Sequence, residues 1–139
     1  MRIMAVDYGL RRVGIAVSDP QGTISQPLST LKVMSRRQVI ERLSSLIKDL
    51  EIGHVIVGYP CALDGAPTEM TKKIKQFVGQ LKKKVDVGIE LWDERLTSKY
   101  AQTTCKEMGI RRQKSRIDQV AACIMLDEYL STKKRCRVS

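Results

Sequence analysis

Apolar and polar positions divide the chain into short blocks of two periods. Ile3 to Val6 is an apolar run that ends in Asp7, Tyr8 and Gly9, and a second run, Val13 to Val17, leads to Ser18 and Asp19. Two such runs joined at a glycine turn predict a β-hairpin. A third short strand is predicted over 23–31, and Pro27 within it suits a sheet edge, where a missing N–H leaves no ladder bond unmade.

From Ser35 the period changes to that of a helix. In SRRQVIERLSSLIKDLEIG, Val39, Leu43, Leu46, Ile47 and Leu50 share one face, and Gly53 is the expected C-terminal stop. HVIVGYP then reads as a buried strand of parallel-sheet character. The loop CALDGAP leads to Pro67, suited to the first turn of a second helix, whose core stripe is Met70, Ile74, Phe77, Val78 and Leu81. Residues 85–92 alternate strictly and predict a half-buried strand running into Asp93-Glu94-Arg95. Ser98 is placed to cap a short helix carrying Ala101, Cys105 and Met108, with Gly109 as its stop. IRRQKSR has no apolar stripe and reads as a loop. The last helix, IDQVAACIMLDEYL, is expected to face inward through Ile117, Val120, Ala121, Ile124 and Leu126, followed by a basic, frayed tail from about residue 131. Three antiparallel strands followed by strand–helix alternation predict an α/β fold: a mixed five-stranded sheet flanked by helices, its last two strands parallel to the first.

Composition narrows the class. The 139 residues suit a single domain (1–139) able to bury a core without staples. A net charge of +10 favours an anionic partner, nucleic acid or acidic lipid. Cys61, Cys105, Cys123 and Cys136 are scattered and lack zinc-ligand spacing. No signal segment or long apolar run is present, so a cytoplasmic protein with reduced thiols and no membrane partner is expected. His54, alone in the chain, reads as structural. With only six aromatics and no interleaved aromatic platform, base-sequence readout is not expected; Trp92 reads as packed against a helix.

The acids carry the candidate chemistry. An unpaired buried carboxylate is expensive, so Asp7 at a strand end beside a glycine turn is either a turn cap or a holder of cations or phosphate at the sheet edge. In sheets of this kind ligands gather beyond the carboxyl ends of the parallel strands, and Asp7 and the Asp93-Glu94 pair both fall there. Asp118 opens the last helix just before the small residues of VAA, which would let that helix approach the sheet; its simpler role is an acid favoured by the helix dipole. Strict alternation gives Asp93 the parity of Leu91 and Glu94 the opposite parity, without settling which acid faces a metal. Arg95 is placed to pair with either acid or to reach a phosphate.

DYGLRRVGIAVSD, VIVGYPxxLDG, WDERLTS and RIDQVAAxIMLxxYL, in this order and spacing, resemble the YqgF/RuvX family across nearly the whole chain. These are small bacterial proteins of the ribonuclease H-like fold related to Holliday-junction resolvases. The resemblance implies a phosphodiester hydrolase dependent on Mg²⁺ or Mn²⁺ at a two-metal site. Its catalytic ligands would be Asp7, the acid of DER (Glu94 favoured over Asp93) and Asp118. The implied substrate is structured RNA, at the 5′ end of pre-16S rRNA; branched DNA, and a non-catalytic ribosome-assembly role, are the alternatives. Arg111, Arg112, Lys114 and Arg116, just ahead of Asp118, would then grip phosphates in a salt-dependent manner. Lys82-Lys83-Lys84 and Lys133-Lys134-Arg135 read as solvated surface. Trimming of rRNA is compatible with a monomer, whereas junction resolution favours a homodimer. The chain departs from the family pattern at Leu10, Tyr59, Asp127 and the loop after Asp64-Gly65; none of these removes a candidate ligand.

Overall fold

The computed structural model describes residues 1–9, 11–32, 35–59, 69–93 and 120–131. In chain order the elements are β1 (Arg2–Tyr8), β2 (Arg12–Ser18), β3 (Ser25–Lys32), α1 (Arg36–Asp49), β4 (Ile52–Tyr59), α2 (Glu69–Lys84), β5 (Gly88–Asp93) and a helix α3 over 120–131. The sheet order is β3-β2-β1-β4-β5. β1 pairs antiparallel with β2, and β2 with β3, while β4 is parallel to both β1 and β5. These are the strand directions expected from the hydrophobic pattern, and the strand order puts β1 at the centre.

The β1–β2 turn depends on Gly9. Its N–H donates to Arg12 O at 2.9 Å, and a Cβ at this position would lie 2.6 Å from that same oxygen. Only glycine closes this hairpin two residues beyond Asp7. β3 sits at the sheet edge, as Pro27 suggests. Its ladder steps from Ile15–Ser29 to Ala16–Pro27, leaving Leu28 as a bulge that blunts the open edge.

Ser35 caps α1, its Oγ accepting from Gln38 N at 3.2 Å. The stop differs from the expected Gly53. α1 ends at Asp49, and Glu51 takes a left-handed φ of 55°. Ile52 already pairs with Arg2, so the chain must reverse before Gly53, which lies inside β4. β5 likewise begins later than residue 85. Residues 85–87 turn the chain from α2 into the sheet, although Val85 and Val87 still pack on the core.

The core has two layers. On one face α1 and α2 cover Met4, Val6, Val13, Ile15, Val55 and Val57, and Phe77 of α2 stacks on Tyr8 at 4.4 Å between ring centroids. On the other, α3 covers Ile3, Ala5, Ala16 and Ile56. The buried side of α3 is Ala121, Ala122, Met125, Leu126, Tyr129 and Leu130, whereas Val120 and Ile124 are half-buried. Ala121 and Leu126 face inward as expected, while Val120 and Ile124 are less buried than expected. Residues 120–126 are apolar throughout, so polarity does not choose a side; the side chosen puts Ala122 in one packed cluster with Ala5 and Ala16 of the sheet. Ile117 lies outside the described residues. No described helix is long and apolar enough to cross a membrane.

Candidate functional site

Strand register defines the surroundings of Asp7. It pairs with Gly14 of β2. On the other side, one step past the Val6–Val57 pair, it lies beside Gly58 of β4, which pairs with Trp92 of β5. Gly14 in turn pairs with Thr30. One row across the whole sheet therefore reads Thr30, Gly14, Asp7, Gly58, Trp92. The only carboxylate in this row stands on the central strand, half-buried, between two residues without side chains. These glycines were not singled out from the sequence. A signal was present: glycine inside a strand pattern marks close approach by another group.

Parity places the row. Asp7 alternates in step with Ile3 and Ala5, both beneath α3, and Trp92 belongs to the same cluster. Tyr8, Tyr59 and Ile89 belong to the α1/α2 face. Asp93 closes β5 in register with Tyr59.

The direction of α3 follows from its two flanks. Ser25 of β3 hydrogen-bonds the carboxylate of Asp127 and lies 3.3 Å from Cys123 Sγ. Tyr129 meets Trp92 edge-on at 5.3 Å and stacks on His54 at 5.8 Å. With β1–α1–β4 taking the right-handed crossover of such units, a right-handed helix with these flanks runs antiparallel to β1. Its N-terminal end points to the carboxyl ends of the parallel strands, where Asp7 lies.

The other titratable groups have structural roles. Asp19, the second acid of the opening hairpin, is at the opposite end of the sheet. Its carboxylate accepts from Thr23 N (2.6 Å), Thr23 Oγ1 (2.7 Å) and Ile24 N (2.9 Å). The Ile24 and Thr23 hydrogen bonds pull its pKa down to about 2. His54 Nε2 lies 3.1 Å from Glu90 Oε2 beneath the Tyr129 ring, a packed position that accords with a structural histidine. Burial pushes the Cys123 thiol up, away from a reactive thiolate. Trp92 is packed on Tyr129, as expected.

Glu94, Arg95, Arg111, Arg112, Lys114, Arg116 and Asp118 lie outside the described residues. Among the described residues no three His, Cys, Asp or Glu side chains form a metal-ligand set. Asp7 supplies one hard oxygen donor of the type Mg²⁺ and Mn²⁺ take.

Residues 1–132 match the family described as RuvX, Holliday junction resolvase. The chain belongs to the RuvX family. A relative from Thermoanaerobacter pseudethanolicus, named "Putative pre-16S rRNA nuclease", is 39% identical over 137 residues, spanning 96% of this chain and 99% of that protein. One of the same name from Acetivibrio thermocellus is also 39% identical, spanning 96% and 97%. Among solved structures, Thermus thermophilus RuvC in complex with a Holliday junction substrate superposes with a TM-score of 0.64 at 14% identity, over 96% of both chains. Fowlpox virus resolvase with junction DNA gives 0.59 at 10% identity, over 96% of this chain and 99% of that one. At these identities the RuvX chain shares their ribonuclease H-like resolvase fold. Nuclease activity is what its full-length relatives are named for.

Proposed function

We propose that this RuvX protein is a divalent-metal-dependent nuclease that hydrolyses phosphodiester bonds in structured RNA, with the 5′ end of pre-16S rRNA as its target. Asp7, Glu94 and Asp118 would hold Mg²⁺ or Mn²⁺. The observation that carries the reading is Asp7 itself: a carboxylate at the carboxyl end of the central strand, with glycine on both neighbouring strands.

Parity favours Glu94 over Asp93. Asp7 shares a row with Gly58 and Trp92, and strict alternation from Trp92 next comes into step at position 94, whereas Asp93 is in register with Tyr59. Asp118 lies two residues ahead of the described start of α3. The described N-terminal end of α3 faces the end of the sheet that carries Asp7, which supports Asp118 as a partner.

Ions held there supply activation of the attacking water and stabilisation of the leaving oxygen. The chain's own contribution is placement. The paired sheet fixes the Asp7 backbone between Gly14 and Gly58, and Arg95, Arg111, Arg112, Lys114 and Arg116 would hold the flanking phosphates. Asp7→Asn should abolish Mn²⁺-dependent cleavage of a pre-16S leader RNA while leaving the far-UV spectrum and RNA binding intact. Undiminished cleavage by this variant would refute the assignment.

A second reading has its own support. The family is described as a Holliday junction resolvase and the fold is that of RuvC. The acids handle phosphodiester and not sugar, so a four-way DNA junction assayed beside the leader RNA at matched salt separates the two. The junction substrate would also call for a homodimer. A cytoplasmic location accords with either.

A further inference from the structure

On the α1/α2 side of the sheet, away from Asp7, α2 presents an outward surface of one chemical kind. Its exposed positions after Glu69 are Lys72, Lys73, Lys75, Gln76, Gly79, Gln80 and the Lys82-Lys83-Lys84 run. Six lysines thus stand against one acid over a helix of 16 residues, about 24 Å long. No exposed position on it is apolar or aromatic. The face begins at the carboxyl edge of the sheet that carries Asp7, where Lys75 Nζ lies 5.8 Å over the ring of Tyr59. Arg36 of α1 adds a further cation beside it, donating to Gln76 Oε1 at 3.1 Å.

Gly79 is the second observation. It is exposed in mid-helix, and a Cβ there would meet nothing within 4 Å. Packing therefore gives no reason for glycine at a position where alanine would favour the helix. What glycine does provide is a notch among the lysines, between Gln76 and Lys83 along the outermost line of the helix, where another backbone can approach closely.

We propose that this face of α2 is a second RNA-binding surface, which takes the sugar–phosphate backbone of the substrate beyond the cleavage site as it passes around the Tyr59 edge. An acidic protein partner is the poorer fit. Protein interfaces are depleted in lysine at their centres and built on aromatic or apolar anchors, and this face has none. The substrate class rests on the nuclease reading above; the binding itself does not require cleavage.

The test measures binding of a pre-16S leader hairpin by fluorescence anisotropy without divalent metal. A triple variant Lys72→Gln, Lys82→Gln, Lys83→Gln should bind at least tenfold more weakly at about 0.1 M salt, with the salt slope shallower by about one per lysine removed. Cleavage by this variant at subsaturating protein should fall in proportion to its affinity. A control triple with the same charge change, Lys32→Gln, Arg42→Gln, Lys48→Gln, should lose less than threefold. Gly79→Ala should raise the melting temperature and yet weaken RNA binding threefold or more, opposite signs that no merely structural role produces. Equal losses in the two triples, or unchanged binding by Gly79→Ala, would overturn the proposal. Unchanged RNA affinity in the α2 triple would hand the face to an acidic protein partner. Normal cleavage by Asp7→Asn would instead remove the catalytic assignment and leave this result standing.

Discussion

Adding one methyl group at two glycines should move the stability of this protein in opposite directions. At Gly9 the new Cβ would sit 2.6 Å from the main-chain oxygen of Arg12, and no flexible side chain is available to yield. Ordinary contact needs about 0.8 Å more, so the turn must open, stretching the 2.9 Å hydrogen bond from Gly9 N to that same oxygen. Loss of such a bond costs about 1 kcal/mol, and overpacking adds about 1–3 kcal/mol. Gly9→Ala should therefore destabilise by about 2–4 kcal/mol, a large part of a typical margin of about 5–15 kcal/mol. At Gly79 the same methyl meets nothing within 4 Å, and the helix should gain about 0.8–1 kcal/mol. The assay is urea unfolding of wild type and both variants, followed by far-UV circular dichroism and compared through midpoint and slope. A loss below about 1 kcal/mol at Gly9, or a loss of any size at Gly79, would refute the steric reasoning. Because the Gly9 turn follows Asp7 by two residues, metal-dependent cleavage by refolded Gly9→Ala should fall with it.

Two further outcomes follow from the acids. Glu94→Gln should eliminate cleavage while Asp93→Asn retains at least a tenth of it in the same leader-RNA assay; the reverse ranking would overturn the parity argument. Asp19, with its pKa lowered to about 2 in the folded chain against an ordinary 3.8, contributes stability that is present above about pH 5 and is lost as pH falls from about 4 through 2. The melting temperatures of wild type and Asp19→Asn should therefore differ at pH 6 and converge by about pH 2, and a gap that persists there would show that the turn does not depend on the carboxylate.

Much of this protein is legible along the chain because its blocks are short and locally consistent. Val13–Val17, Val39–Leu50 and Ile74–Leu81 each carry one clear period, and Ser35 and Gly9 mark a helix start and a hairpin turn by their own chemistry. That Asp7 lies at the end of a strand beside a turn also follows, since an apolar run closed by a charge and a glycine has few other places to sit. The pattern itself offered the Asp93-Glu94 pair and Asp118 as candidate partners, and the four family motifs gave the trio a role as metal ligands. Where local signals were ambiguous, the sequence alone misplaced the detail. α1 was expected to stop at Gly53, but pairing of Ile52 with Arg2 forces the reversal at Glu51. The wholly apolar stretch at 120–126 left the buried side of α3 open, and the side chosen puts Ala122 in one packed cluster with the alanines of the sheet. Most consequential is the row through Gly14, Asp7, Gly58 and Trp92, whose members lie on four different strands. Sequence determined which residues carry charge and which carry no side chain. Only the tertiary register set the acid between the two glycines and gave it the parity of Trp92, because register is fixed by burial of both sheet faces at once, a condition no single segment contains.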